Sequence, residues 1–288
     1  MHFFSDHYNI ILVIITTIML GLSCGMVGPF LVLRKEALIS DAMTHSTLPG
    51  LGVGFLLALS MGLNGGRFLP FLLLCSGITA LLGALSVRWI INRTRLSQDV
   101  AIASVMSSFY GLGLVILSII QSLETGNRAG LNSFLLGQVS GLTQQDLFML
   151  TGIATLVLLL GIYNFKALRL LCFDPINAEF LGISKTKTEN ILLFLMISVI
   201  CAGLKTVGLI LILALLIIPP ITARLWTDRS EVMFALSCAI AALACVNGVV
   251  VSGFFYDLPT GAIIVLSCAG FLFASLILSP IRRIINAQ

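Results

Sequence analysis

Long apolar runs recur along the whole chain and are separated by short polar breaks. A run of about 20 apolar residues, wound as an α-helix, is long enough to cross the hydrocarbon core of a bilayer. Because a bilayer offers no partners to backbone polar groups, such a chain folds as a bundle of spanning helices. The composition agrees, since 58% of the residues are hydrophobic and only 10% are charged. The sequence therefore predicts an all-α polytopic membrane protein with one transmembrane domain, residues 1–288, and no nucleic-acid partner.

Nine spanning helices are predicted, with eight as the alternative if the sixth and seventh runs form one re-entrant pair. Proline and glycine fall inside two of them. We expect Pro49-Gly50 to break the second helix and Pro219-Pro220 to disrupt the seventh, which begins after Thr206. The approximate ranges of the others are 9–33, 68–91, 99–120, 146–163, 190–203, 232–251 and 262–278, and the second covers 40–60.

The distribution of Lys and Arg predicts the orientation of these helices. Cytoplasmic loops carry the excess of positive charge. Nine helices with the N-terminus outside and the C-terminus cytoplasmic place thirteen of the sixteen Lys and Arg residues inside. The three that remain outside are Arg67, Arg128 and Lys205.

An acid and an imidazole lie within the second apolar run, in the stretch 40–50 (SDAMTHSTLPG). Asp41 and His45 are four residues apart, so a helix places them on one face, one turn from each other. Ionisable side chains inside a membrane are costly, and they usually mark a pathway or pair with each other. Two interpretations follow: both side chains bind one metal ion, or a neutral histidine donates a hydrogen bond to the acid as a packing contact.

Two outward segments are rich in polar residues. The longest, residues 121–145, carries Glu124 and Arg128, and its apolar patch is too short to span the bilayer. A polar turn at 256–261 carries Asp257. We expect these residues to meet an extracytoplasmic partner, although turn-capping and solvation would also explain them.

One inward segment, about 173–183, has the start and stop signals of its own short helix outside the bilayer. Its apolar residues can share one face, as in a helix that docks in a groove of a partner protein. The alternative is an amphipathic helix that rests on the membrane lipid. The residues that carry this prediction are Asp174, Pro175, Glu179, Phe180 and Gly182.

Motifs for nucleotide hydrolysis and for membrane-bound catalysis are missing from the sequence. Gly203-Leu-Lys205-Thr206 lacks the glycine spacing of a P-loop, and no HExxH, GxSxG or dinucleotide-binding pattern occurs. The chain is therefore predicted to be a transporter without its own ATPase motif rather than an enzyme. A secondary transporter of metal or other cations is the alternative, although such proteins usually carry an internal repeat that is not evident here.

Several long motifs carry a family resemblance. They are GMVGPFLVLR at 25–34, SDAMTHSTLPG at 40–50, FDPINAEFLG at 173–182 and VGLILILALLIIPPITAR at 207–224. In this order they resemble the zinc/manganese/iron permease family of bacterial ABC importers, over nearly the whole chain.

The resemblance implies a type II importer-like permease in the bacterial cytoplasmic (inner) membrane, as a homodimer or paired with a second permease. It implies transport of Mn²⁺, Zn²⁺ or Fe²⁺ as cargo, with no permanently bound cofactor. It also implies two partners, an extracytoplasmic metal-binding protein and a cytoplasmic ATP-binding subunit. Asp41 and His45 match the family positions associated with metal passage. Two such pairs in a dimer would offer nitrogen and oxygen ligands that suit these ions.

Overall fold

The structure is a computed structural model that describes residues 2–62, 68–122, 143–206, 208–254 and 259–285. Within these ranges the regular structure consists of eleven α-helices and contains no strand. The helices are α1 (His2–Leu33), α2 (Ala37–Ser60), α3 (Leu69–Arg93), α4 (Gln98–Ser122), α5 (Gln144–Tyr163), α6 (Phe165–Phe173), α7 (Pro175–Phe180), α8 (Lys185–Thr206), α9 (Leu209–Trp226), α10 (Ser230–Phe254) and α11 (Thr260–Ile285). The predicted all-α fold is confirmed.

Eight helices in the described part of the chain are long and apolar enough to cross a membrane. They are α1 to α5, α8, α10 and α11. α9 contributes a shorter apolar stretch, Ile212–Trp226. The multi-pass membrane class is therefore confirmed, whereas the ninth span and the orientation stay predictions.

The predicted break at Pro49-Gly50 is wrong, whereas Pro219-Pro220 disrupt the hydrogen bonds of α9, as expected, without ending the helix. α2 is helical from Ala37 to Ser60, and α9 is helical from Leu209 to Trp226. A proline inside a helix removes one backbone donor, which leaves the carbonyl four residues earlier without its helical partner. A complete break would leave several backbone groups without a partner in a region that holds no water. A continuous helix that loses one hydrogen bond therefore has the lower free energy.

The chain divides into two compact units. One unit, Glu36–Leu135, contains α2, α3 and α4. α3 runs antiparallel to α2, since Gly83 lies against Ser46 and Leu72 lies against Gly54. α4 runs parallel to α2: Ile102 and Val105 share a cluster with Ala42, and Gly113 lies against Leu48. α2 is thus packed against both other described helices of its unit.

The other unit, Met1–Lys35 with Leu136–Gln288, contains α1 and α5 to α11. Small residues allow α1 to approach its neighbours closely. A Cβ atom on Gly25 would lie 2.5 Å from the Cα atom of Cys238 in α10, and one on Gly28 would overlap the carbonyl oxygen of Leu216 in α9. That carbonyl is the one whose helical donor is missing at Pro220. Close backbone approach through small residues is how membrane helices gain packing energy.

The prediction of a single transmembrane domain stays a prediction.

α6 was not predicted from the sequence. It is a short amphipathic helix whose Leu168 and Leu171 are buried, whereas Lys166 is exposed. Phe165 at its start forms a three-ring cluster with Phe30 of α1 and Phe234 of α10. The ring centroids of this cluster lie 4.5–6.2 Å apart, the range of favourable aromatic pairs. α6 is thereby held against two spanning helices of its unit.

Alkaline phosphatase fusions test the topology. If the nine-span topology is right, a fusion after Met61 is active outside, and fusions after Lys35 and Asp228 are inactive because they stay in the cytoplasm. Activity of the Asp228 fusion would show that α9 does not cross the membrane. Activity at Lys35 with none at Met61 would reverse the predicted orientation.

Candidate functional site

Asp41 and His45 face each other on the second turn and the third turn of α2. The Nε2 atom of His45 lies 3.4 Å from the Oδ1 atom of Asp41. Their side chains are 32% and 20% exposed, so both are accessible only in part. Good N–H···O hydrogen bonds are about 2.7–3.2 Å long, and the contact between these atoms is longer. The distance therefore gives little support to the packing interpretation.

The same distance fits two ligands of one ion. Zinc bonds to nitrogen and oxygen are about 2.0–2.2 Å long, so two of them at a tetrahedral angle hold their ligand atoms roughly 3.4 Å apart. The pair could thus bind one divalent ion without a large movement of either side chain. Within the part of the chain that the structure describes, no group of three or more His, Cys, Asp or Glu side chains could hold a metal. A single copy of the described chain therefore offers two such ligands.

The other imidazole nitrogen, Nδ1 of His45, is buried and has no hydrogen-bond partner among the described residues. The ring of His45 packs against Tyr110 of α4, with centroids 5.1 Å apart and an interplanar angle of 88°. Sequence reasoning did not identify Tyr110. Because the contact joins two separate helices, no local spacing in the sequence could have predicted it.

Buried hydroxyl groups surround the pair along α2, and each donates to a carbonyl of its own helix. Thr44 donates to Ser40 at 2.7 Å, and Ser46 donates to Ala42 at 2.7 Å. Such bonds satisfy the hydroxyl protons within the helix and leave the oxygen lone pairs free to accept. The carbonyl of His45 lacks its helical donor, because Pro49 has no N–H. The helix thus carries several oxygen acceptors within the turns that hold the two ionisable residues.

The short docking helix predicted within residues 173–183 forms, but it is shorter than that range. α7 covers Pro175–Phe180 because Phe173 ends α6 and Asp174, with φ −150°, is not helical. Gly182 closes α7 in the left-handed region, with φ +79°, and Ile183 donates a backbone hydrogen bond to Ala178. This end agrees with the predicted role of the glycine as a stop signal.

Apolar side chains of this segment are strongly exposed. Phe180 is 84% exposed, Leu181 71% and Ile176 70%, whereas Ala178 is fully buried. Glu179 is also exposed. The segment thus presents three large apolar side chains on the surface of the unit to which it belongs.

The residues predicted to meet an extracytoplasmic protein are not placed by the structure. Glu124, Arg128 and Asp257 all lie outside the described residues. The same holds for most of the segment 121–145 and for Arg67. Their role stays a prediction from the sequence.

A multi-pass α-helical membrane protein with a half-buried acid and histidine pair inside a spanning helix belongs, by class, among the membrane transport proteins. The family can be stated as well. Residues 6–279 match the ABC 3 transport family, and the chain belongs to it. The predicted resemblance to metal permeases of ABC importers is thereby confirmed, and so is a place in the cytoplasmic (inner) membrane.

Two curated relatives are similar over nearly the whole chain. The manganese transport system membrane protein MntC of Bacillus subtilis is 37% identical over 277 residues, which are 96% of this chain and 62% of that protein. The chain therefore spans less than two thirds of the length of this relative. The zinc transport system membrane protein TroC of Treponema pallidum is 34% identical over 285 residues, 99% of this chain and 93% of that protein.

A solved structure shares the fold. It is described as PsaBC from Streptococcus pneumoniae in complex with Fab. The similarity has a TM-score of 0.81 with 29% identity, and it covers 96% of this chain and 93% of that chain.

Two glycine variants test whether close packing around α2 supports the site. In Gly50→Ala the new Cβ would lie 2.5 Å from the carbonyl oxygen of Cys75, so α2 and α3 must separate. We expect a loss of about 1–3 kcal/mol of stability, measured as a lower melting temperature in detergent. Gly111→Ala is the matched control, because nothing lies within 4 Å of its Cβ. Alanine is the better helix former by about 1 kcal/mol, so this variant should melt no lower than wild type. Equal melting of both variants would contradict the packing account.

Proposed function

We propose that the chain is the membrane-spanning permease subunit of an ATP-driven importer of divalent transition metal ions. The cargo would be Mn²⁺, Zn²⁺ or Fe²⁺, received from an extracytoplasmic solute-binding protein and moved by a separate ATPase subunit. The observation that carries this proposal is the Asp41–His45 pair, at the separation of two ligands of one ion, in a chain of the ABC 3 transport family. The names of the relatives, a manganese and a zinc transport protein, support a metal as the cargo.

The chemistry of the Asp41–His45 pair supports a role in the passage of a metal ion rather than in its storage. One carboxylate and one imidazole give a divalent ion two of the four to six ligands that it prefers. A second copy of the chain would supply another Asp41 and His45, which would give four nitrogen and oxygen ligands in a homodimer. Transport requires weak coordination by few ligands, because the ion must leave the site again.

The ATPase subunit would contact the permease at the exposed apolar side chains of α7 and of Leu181, which follows it. A chain without a P-loop must receive the work of ATP hydrolysis through contact with another subunit. Large exposed apolar residues on a short helix are typical of a surface that a partner protein covers. Ile176, Phe180 and Leu181 form such a surface. The aromatic cluster of Phe30, Phe165 and Phe234 holds the adjacent α6, which gives α7 a firm attachment to its unit.

The proposed contact with the extracytoplasmic binding protein rests on the sequence alone. Glu124, Arg128 and Asp257 would form charges at the rim of the surface that meets the binding protein. Charges at a rim mainly change the association rate and its salt dependence. An ATP-independent transporter of metal ions is the alternative, which uptake by the chain without any ATPase would reveal.

The first functional prediction is that Asp41→Ala and His45→Ala each reduce metal uptake to below about a tenth of wild type, since each removes half of the pair. Uptake of Mn²⁺, Zn²⁺ and Fe²⁺ is measured in cells that also express the ATPase and the binding protein.

Asp99→Asn is the matched control for these variants. Asp99 is an exposed acid in the first turn of α4, where its interaction with the helix dipole contributes only about 0.3–1 kcal/mol. Uptake by this variant should stay close to that of wild type. Normal accumulation of metal by both Asp41→Ala and His45→Ala, with the complex assembled, would disprove the proposed ion path.

The second functional prediction concerns α7. Phe180→Asp should detach the ATPase or abolish metal-stimulated hydrolysis, because a buried charge replaces the apolar anchor of the contact. Metal binding at Asp41 and His45 should persist. Co-purification and ATPase activity in lipid nanodiscs are the measurements.

Thr186→Asp is the control for added negative charge. Thr186 is exposed in the first turn of α8, where an acid is favourable at a helix N-terminus. This variant should assemble and hydrolyse ATP like wild type. If Phe180→Asp does the same, the ATPase acts through another surface.

A further inference from the structure

The contact between His45 and Tyr110 follows from the register of two parallel helices. Gly113 of α4 lies one turn after Tyr110, and Leu48 of α2 lies one turn after His45. A Cβ atom on Gly113 would lie 2.8 Å from the Cβ atom of Leu48, so the helices approach closely at this level. One turn earlier, the same approach brings the ring of Tyr110 against the imidazole.

The edge-on arrangement limits how the imidazole can turn. Rotation about the Cβ–Cγ bond of a histidine is broad and only weakly restricted by the side chain itself. The ring of Tyr110 packs perpendicular to the imidazole with its centroid 5.1 Å away, so a rotation of the imidazole disturbs this contact. The orientation present in the structure is the one in which Nε2 points towards Asp41.

Among the described residues, no polar group fixes the second ring nitrogen of His45. Histidine ligands in metal sites usually donate their second ring nitrogen to an acceptor that fixes the orientation of the ring. Nδ1 of His45 has no such partner among the described residues. Packing against Tyr110 is therefore the contact that can replace the missing hydrogen bond.

We propose that Tyr110 is a positioning residue for the metal ligand His45, and that its ring, not its hydroxyl, holds Nε2 at the distance from Asp41 that one ion spans. This inference rests on the proposed function. The Tyr110 side chain is 40% exposed, so its hydroxyl can reach water or polar groups beyond the contact. The role of the ring and the role of the hydroxyl can be separated experimentally.

The experiment compares Tyr110→Phe with Tyr110→Leu in the purified permease–ATPase complex, with Co²⁺ as the probe. Visible absorption of bound Co²⁺ reports both affinity and coordination geometry. Tyr110→Leu should weaken Co²⁺ binding about tenfold or more and change the absorption spectrum. Losses of this size are usual when a group that orients a metal ligand is removed. Tyr110→Phe keeps the ring and should bind within about twofold of wild type, a difference well below 1 kcal/mol.

Phe109→Leu is the matched control. Phe109 is the neighbouring aromatic residue of α4, and it packs against the cluster of Ala42, Val87, Ile102 and Val105. Its loss should alter stability without altering the Co²⁺ spectrum. A spectral change in Tyr110→Leu that is absent from Phe109→Leu separates positioning of the ligand from general packing.

Two results would overturn the inference. One is wild-type affinity and spectrum in Tyr110→Leu. The other is an equal loss in Tyr110→Phe and Tyr110→Leu, which would assign the effect to the hydroxyl. Asp41→Ala and His45→Ala are measured in the same assay: if both still bind Co²⁺ like wild type, the proposed ion site itself fails. If both lose binding while Tyr110→Leu does not, only the role of Tyr110 is rejected.

Discussion

The bilayer requires every backbone polar group to find its partner within the protein, and the structure around Asp41 and His45 depends on this requirement. Pro49 deprives the carbonyl of His45 of its helical donor, yet α2 continues to Ser60. The serine and threonine hydroxyls of the same stretch bond to carbonyls of their own helix. Most polar groups of the stretch are therefore satisfied locally. Asp41 and His45 are the ionisable side chains of this stretch, and they lie against each other instead of bonding to the helix backbone.

Close packing gives this helix a fixed place within its unit. Gly50 and Gly83 let α3 approach α2, and Gly113 lets α4 approach it from another side. Membrane helices gain little from the hydrophobic effect between one another, so such contacts supply much of the attraction. Packing at this density permits few alternative side-chain positions. A ligand pair on α2 is consequently supported by neighbouring helices, and Tyr110 follows from the same arrangement.

Periodicity and composition predicted most of the helices, because apolar runs of spanning length are a strong local signal. The spacing of Asp41 and His45 predicted their contact for the same reason, since both lie on one helix. Three features required tertiary information. α2 is continuous because the free-energy cost of one lost hydrogen bond is smaller than that of a broken helix in lipid. α6 depends on the aromatic contacts of Phe165. Tyr110 belongs to the site only because α4 packs beside α2.

The two parts of the proposed mechanism lie in different compact units: Asp41 and His45 in Glu36–Leu135, and α7 in the other. The chain passes from one unit to the other at the turn between α1 and α2. Lys35 adopts φ +58° in this turn, a left-handed conformation that costs a non-glycine residue about 1–2 kcal/mol. The preceding Arg34 forms an ion pair with Glu189 of α8, and both side chains are largely buried. The ion pair therefore joins the end of α1 to α8, the helix that follows α7 in the same unit.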